Sequence, residues 1–169
     1  MDVYLDIETT GKRADEGMVV VIGLWKGRPL FRTCLNPREE REALEWLCRQ
    51  LEGVTRVITW FGSGFDLPFL NARAALHRVD LKTLNGIYNL DLCDWCRKNL
   101  LLSSYSLESV AKFLGLERKV PFEGGDVGAL FKLAVSGDRR ALGRVVEHCR
   151  EDLYLLREIH RRLSNTLQL

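Results

Sequence analysis

Two acidic residues near the start of the chain, Asp6 and Glu8, could bind a metal ion. They lie in a segment with the alternation of a buried strand, and side chains two apart on a strand point to the same face. Burying two converging carboxylates is costly unless a cation compensates them. Mg²⁺ and Mn²⁺ prefer carboxylate oxygens, so the pair indicates a metal site. Two acids facing solvent at a strand end would explain the pattern as well.

A third acid, Asp66, follows an apolar run, the loop Gly62-Ser63-Gly64 and Phe65. With Pro68 just behind it, Asp66 stands where the N-cap of a helix is expected. The same position allows its carboxylate to join Asp6 and Glu8. A plain capping role remains the alternative.

His148 and Asp152 are four residues apart, so they share one face of a predicted C-terminal helix. Asp152 falls on the apolar stripe of that helix with Cys149, Leu156 and Ile159. An acid on a stripe that faces the core needs a partner. The partner is either a metal ion or His148 itself, in a buried pair that satisfies its own charges.

Hydrophobic periodicity predicts the elements that position these residues. It predicts strands at 2–7, 18–25, 29–35, 54–61 and 87–92, and helices at 39–51, 66–76, 107–114, 128–135 and 139–163, with one more through Cys96 and Leu100 and a glycine-rich loop at 122–126. This order predicts an α/β fold with a mixed five-stranded sheet flanked by helices, in one domain spanning 1–169. A flavodoxin-like fold can also be drawn from it.

Three motifs resemble those of the DEDD exonuclease superfamily, in the form of stand-alone relatives of family-B DNA polymerase proofreading domains. They are Leu5 to Gly11, Phe65 to Leu70 and His148 to Asp152. Two features depart from the family pattern. The usual Asn before the second motif is absent, where the sequence reads Trp60-Phe61-Gly62-Ser63, and the third motif combines a His with the spacing of the Tyr-containing branch.

The resemblance implies an RNase H-like fold and phosphodiester hydrolysis assisted by two ions, Mg²⁺ or Mn²⁺. It implies that Asp6 bridges both ions, that Glu8 and Asp152 hold the ion carrying the nucleophile, and that Asp66 holds the second. His148 would orient the attacking water or take its proton.

The resemblance also implies a 3′→5′ exonuclease that acts on the 3′ ends of single-stranded DNA or RNA. Residues expected at the terminal nucleotide are Thr9, Thr10, Gly11 and Phe65. Candidates for phosphate contacts are Lys12, Arg13, Arg73, Arg97 and Lys98. A structure-specific endonuclease and a non-catalytic nucleic-acid-binding or docking module remain alternatives, and a protein partner of unknown identity is compatible with all three.

Composition narrows the class of protein. The formal charge of +2 requires any nucleic-acid site to be a local basic patch. The chain lacks a long apolar run and a signal-peptide pattern, which predicts a cytoplasmic protein without membrane contact. Cys93 and Cys96 form a CxxC pair without a second ligand pair, so a zinc or redox role is disfavoured against plain burial.

Overall fold

The computed structural model of the chain describes residues 2–118, 127–167 and 169. Its five-stranded sheet has the order β3-β2-β1-β4-β5, in which β1 to β3 form an antiparallel meander and β1, β4 and β5 run parallel. The strands are β1 (Asp2–Thr9), β2 (Val19–Lys26), β3 (Arg28–Thr33), β4 (Arg56–Thr59) and β5 (Tyr88–Asp91). The predicted mixed α/β sheet is therefore confirmed.

Helices cover both faces of the sheet. They are α1 (Pro37–Gln50), α2 (Asp66–His77), α3 (Lys82–Gly86), α4 (Leu92–Asn99), α5 (Leu107–Phe113), α6 (Val127–Val135) and α7 (Arg139–Thr166). Within the described part of the chain, no helix combines the length and apolar character that crossing a membrane requires.

Side chains of β1 point alternately to the two faces of the sheet, so its apolar residues and its acidic residues lie on opposite faces. Val3, Leu5 and Ile7 are buried in the cluster that contains the apolar residues of α1 and α2. Tyr4 packs instead with residues of α7. Because alternate residues of a strand share a face, Asp6 and Glu8 point with Tyr4 towards α7.

Three local predictions differ from the structure. The short helix α3 was not predicted, and the strand predicted at 54–61 is only the four residues of β4. Asp66 is the first residue of α2 rather than its N-cap, a position held by Phe65, which makes no side-chain cap hydrogen bond. The Asp66 carboxylate accepts a bond from the Ile7 N–H of β1. The glycine-rich loop predicted at 122–126 lies outside the described residues.

Gly23 allows α7 to approach the sheet closely. It lies opposite Asp6 in the antiparallel ladder between β1 and β2. A Cβ atom on Gly23 would stand 2.4 Å from Cys149 Sγ and 2.9 Å from Leu153 Cδ1, both on α7. The missing side chain therefore sets how near α7 can bring its polar residues to β1.

Glu40 of α1 is a fully buried acid whose charge is compensated. Its carboxylate accepts hydrogen bonds from Arg73 (2.9 and 2.6 Å), His77 (2.7 Å) and the Val19 N–H (2.8 Å). Arg73 also donates to the Ala14 carbonyl oxygen at 2.8 Å. The prediction that Arg73 contacts phosphate is wrong, because its guanidinium is buried and bonded within the fold.

Gly23→Ala is expected to destabilise the protein by about 1–3 kcal/mol, because the added methyl group overpacks the contact with α7. Cys149→Ala removes the nearest obstructing atom, so the double variant should recover part of the loss. The matched control is Gly143→Ala, since a Cβ there meets nothing within 4 Å. Urea unfolding of the four variants and the unsubstituted protein measures these differences in the free energy of unfolding. Equal effects at Gly23 and Gly143 would contradict the packing argument.

Glu40→Ala is expected to lower the free energy of unfolding by about 3 kcal/mol, because Arg73 would remain buried without its counter-charge. Glu45→Ala on the same helix breaks only an exposed pair with Arg41 and should cost less than about 1 kcal/mol. Urea unfolding compares the two variants. A loss at Glu40 no larger than that at Glu45 would show that the buried pair adds nothing.

The same carboxylate should contribute to acid sensitivity. Burial raises the pKa of Glu40, but the hydrogen bonds from Arg73, Val19 and His77 outweigh it and leave that pKa lowered. A lowered pKa in the folded state means that the contribution is present at neutral pH and is lost as the pH falls below the usual glutamate range. The loss in free energy of unfolding caused by Glu40→Ala should therefore be smaller at a pH below the usual glutamate pKa than at pH 7.

Candidate active site

Three elements bring the predicted acids together. Asp6 and Glu8 lie towards the C-terminal end of β1, where the pairing with β2 shifts register between Glu8 and Thr9. Asp66 opens α2, and Asp152 lies in the middle of α7. Asp6, Glu8, Asp66 and Asp152 all line one cleft of about 610 Å³.

His148 links β1 to α7. Its Nδ1 lies 2.5 Å from Glu8 Oε1 and 3.7 Å from Asp152 Oδ2. Burial lowers the pKa of His148, but the hydrogen bond with Glu8 and the negative charges of Asp152 and Glu8 raise it overall. The imidazole is therefore a stronger base here than in solution.

Arg118 compensates the acid on α7. Its Nη2 lies 2.6 Å from Asp152 Oδ1, and both side chains are largely buried. The sequence analysis did not identify Arg118, because it follows the end of α5 and belongs to no motif. Its contact with Asp152 joins residues 34 positions apart.

Asp66 is 4% exposed and accepts a hydrogen bond from the Ile7 N–H at 3.2 Å. Burial raises the pKa of its carboxyl to about 7, and the nearby charges of Asp91 and Glu8 act in the same direction. Hydrogen bonds from the backbone N–H groups of Asp66 itself and of Ile7 lower this pKa only in part. Asp66 is thus tied to β1 between the two acids of that strand.

Asp6 carries the least compensated charge of the site. Among the described residues, no group forms a hydrogen bond with its buried Oδ2 atom. Burial raises the pKa of Asp6 well above its usual value, and the carboxylates of Glu8, Asp152 and Asp66 add to the effect. A buried, unpartnered carboxylate oxygen surrounded by other acids is the environment that a divalent cation stabilises.

The donor atoms fit such a cation. Ligand atoms of Glu8, His148 and Asp152 lie within 4.8 Å of one another, as do those of Asp6, Glu8 and Cys149. Burial raises the pKa of the Cys149 thiol well above its usual value, so the thiol stays protonated. A set of donors dominated by carboxylate oxygens suits a hard divalent cation better than a thiolate-binding metal.

The residues predicted to contact substrate are in different places. Phe65 lines the cleft and packs against Phe69, with ring centroids 5.6 Å apart. Thr9 and Thr10 hold their own loop, since Thr9 Oγ1 donates to the Gly11 carbonyl oxygen at 2.7 Å and Thr10 Oγ1 accepts from the Met18 N–H. These two and Gly11 do not line the cleft, so their contact with substrate stays a prediction.

The CxxC pair has no metal-binding geometry. Cys93 and Cys96 are buried, and burial raises the pKa of both thiols, that of Cys96 to about 12. Neither belongs to a cluster of metal-ligating side chains in the described part of the chain. Cys93 instead donates a weak hydrogen bond to the Tyr105 carbonyl oxygen.

Asp91 is a structural residue of the site that the sequence analysis missed. At the end of β5 it caps α4 by accepting from the N–H groups of Cys93 and Asp94. It also accepts from the N–H groups of Phe61 and Ser63, both at 2.9 Å, and from Ser63 Oγ at 2.5 Å. The only local signal for it was an acid placed between a short strand and a helix.

Comparison with known proteins agrees with this architecture. A model of the RNase H superfamily matches residues 3–164. The chain belongs to the RNase H superfamily. No curated protein matches the sequence.

Solved structures share the RNase H-like fold. One of them is the family B DNA polymerase from the hyperthermophilic archaeon Pyrobaculum calidifontis, with a TM-score of 0.81 and 17% sequence identity. The match covers 96% of this chain and 24% of the polymerase chain, so this chain spans about a quarter of that protein's length. The resemblance to polymerase-associated exonuclease domains stated from the motifs is thus confirmed at the level of the fold.

Asp6→Asn is expected to raise the free energy of unfolding by roughly 1–2 kcal/mol at pH 7 without metal, because a neutral amide removes a buried charge whose pKa is raised on folding. Thermal unfolding in EDTA measures this difference. Adding Mn²⁺ should then raise the Tm of the unsubstituted protein far more than that of Asp6→Asn. A destabilised variant with an undiminished response to Mn²⁺ would exclude Asp6 as a ligand.

Proposed function

We propose that residues 1–169 form one exonuclease domain that hydrolyses single-stranded nucleic acid from the 3′ end with the help of Mg²⁺ or Mn²⁺. The observation that supports this most directly is the buried Oδ2 atom of Asp6, which has no partner among the described residues and lies among other carboxylates. Such a charge arrangement is unfavourable for the fold alone and favourable for holding cations.

Asp6, Glu8, Asp66 and Asp152 are the residues that would hold the metal. The chemistry that two bound divalent ions supply is activation of a water molecule and stabilisation of the leaving 3′ oxygen. The protein's part is to converge the four carboxylates from β1, α2 and α7. Arg118 keeps Asp152 oriented through its ion pair.

His148 acts as the general base in this proposal. Its hydrogen bond with Glu8 fixes the plane of the imidazole beside the carboxylates, where a neutral imidazole can take a proton from the attacking water. The imidazolium that results would be stabilised by Glu8 and Asp152. The arrangement also explains a His at a spacing usually occupied by Tyr, since it reaches β1 from α7.

The cleft supports a single-stranded substrate. Trp60, Phe61 and Phe65 line it beside the acids, and aromatic side chains bind unpaired bases by stacking. Arg97 adds a positive charge at the same surface, whereas Lys98 is not among the lining residues. We retain Thr9, Thr10 and Gly11 as neighbours of the terminal nucleotide because their loop directly follows Glu8.

Cleavage of 5′-labelled single-stranded DNA and RNA with Mn²⁺, Mg²⁺ or EDTA tests the proposal. The expected result is a metal-dependent ladder that shortens from the 3′ end. Asp6→Asn should lower the rate by about a thousandfold or more, since a metal ligand is lost. His148→Ala should lower the rate at neutral pH while the Mn²⁺-induced rise in Tm is retained.

Asp80→Asn is the matched control, because its carboxylate is exposed and lies outside the cleft. Internal fragments without a ladder would indicate an endonuclease. A strand that is bound but not cleaved under either metal would indicate a binding module, and a fully active Asp6→Asn protein would exclude the proposed chemistry.

A further inference from the structure

The segment between β4 and α2 holds an aromatic side chain in an unusual position. Phe61 has a φ of +56°, in the left-handed region that residues other than glycine rarely adopt. Its side chain is nonetheless 40% exposed and lines the cleft. A bulky residue in this conformation costs about 1 kcal/mol or more in general, and such costs concentrate at functional sites.

Hydrogen bonds hold Phe61 in this conformation. Its N–H donates to Asp91 Oδ1 at 2.9 Å, while the N–H groups of Gly64 and Phe65 donate to the Phe61 carbonyl oxygen at 3.1 and 3.0 Å. Asp91 anchors Ser63 with its second carboxylate oxygen. The backbone is therefore fixed on both sides of Phe61, and the direction of its side chain is fixed with it.

Side-chain contacts then place the ring. A Cβ on Gly64 would stand 2.3 Å from the ring of Phe61, so the ring lies directly over that glycine. The guanidinium of Arg97 lies over the ring, 5.1 Å from its centroid, and also pairs with Asp94 at 3.3 Å. Arg97 comes from α4, the helix that Asp91 caps. The Asp91 carboxylate therefore fixes both the backbone of Phe61 and the start of the helix that carries Arg97.

We propose that Phe61 and Arg97 form a base-stacking platform that receives an unpaired nucleobase next to the carboxylate site, which rests on the nuclease function proposed above. Because the Arg97 guanidinium lies over the Phe61 ring, the stacked pair offers a base the outer face of the guanidinium, and its charge neutralises phosphate at the same place. The strained backbone at Phe61 keeps an apolar ring at an exposed cleft edge rather than in the core. The platform selects single strands, because a base inside a duplex already stacks on its neighbours through both faces.

Phe61→Ala and Arg97→Ala test the platform. We expect each to raise KM for a 5′-labelled 12-nucleotide DNA strand by about tenfold, with kcat changed less, as expected for loss of one stacked base. Matched controls are Tyr88→Ala, an exposed aromatic residue at the start of β5, and Arg38→Ala, an exposed arginine that pairs with an acid on its own helix and lies outside the cleft. Both should leave KM unchanged.

An abasic substrate separates stacking from a structural effect. When the last three nucleotides of the strand lack bases, wild-type protein and Phe61→Ala should show the same KM. Phe61→Tyr should retain the wild-type KM on the normal strand. Gly64→Ala, which displaces the ring without removing it, should behave like Phe61→Ala. Phe61→Gly removes the backbone strain and therefore supplies a folded variant if the alanine substitution disturbs the loop.

Binding of the same fluorescent strand in EDTA distinguishes this proposal from the proposed function. Cleavage by the wild type with an unchanged KM in the Phe61 variants overturns the platform alone. A strand that is not cleaved but is bound, and bound about tenfold more weakly by Phe61→Ala, supports the platform without the nuclease. A wild-type protein that neither cleaves nor binds the strand overturns both.

Discussion

Four carboxylates meet at one end of the sheet, and their mutual repulsion constrains how the surrounding elements must be held. Arg118 and His148 contact this group, but Asp6 has no partner for one buried oxygen among the described residues. The repulsion must be offset by packing elsewhere, because ionised groups of like charge do not stay together by themselves. The apolar face of β1 and the long helix α7 supply that packing.

Sheet topology determines where the site lies. β1, β4 and β5 run parallel, so their C-terminal ends share one edge, and the segments that follow them meet there. Glu8, Thr59 and Asp91 stand at these three ends. The helix α7 crosses the same edge at a distance permitted by Gly23, which lies beside Asp6 in the ladder.

Much of this arrangement could be predicted from the sequence because it follows from local periodicity. The alternation in β1, the apolar run of β2 and the helical spacing in α7 predict these elements and the face of α7 on which Asp152 lies. The roles of Asp91 and Arg118 could not be predicted. Each depends on contacts with residues about 30 positions away, and nothing in the neighbouring sequence encodes those distances.

The same limit explains the misassignment of Asp66 as an N-cap. An acid between a glycine-rich loop and a proline has the local signature of a cap. Its carboxylate instead accepts a bond from Ile7, 59 positions earlier, because α2 starts beside β1. Tertiary geometry decided between two uses that the local pattern allowed equally.

Glu40 and Asp6 show how a compensated acid and an uncompensated acid differ within one fold. Both are charged side chains with buried oxygens, yet Glu40 accepts bonds from Arg73, His77 and a backbone N–H, and its pKa is lowered. Asp6 has neighbours of its own charge, and its pKa is raised.

Phe61 is a second unfavourable feature of the cleft. Its backbone adopts a costly left-handed conformation, which a hydrogen bond to Asp91 holds in place. Both unfavourable features line the same cleft, whereas the satisfied pair lies on the other face of the sheet with α1 and α2. Natural folds retain such local costs where binding a ligand can offset them, which is the physical reason for assigning function to this cleft.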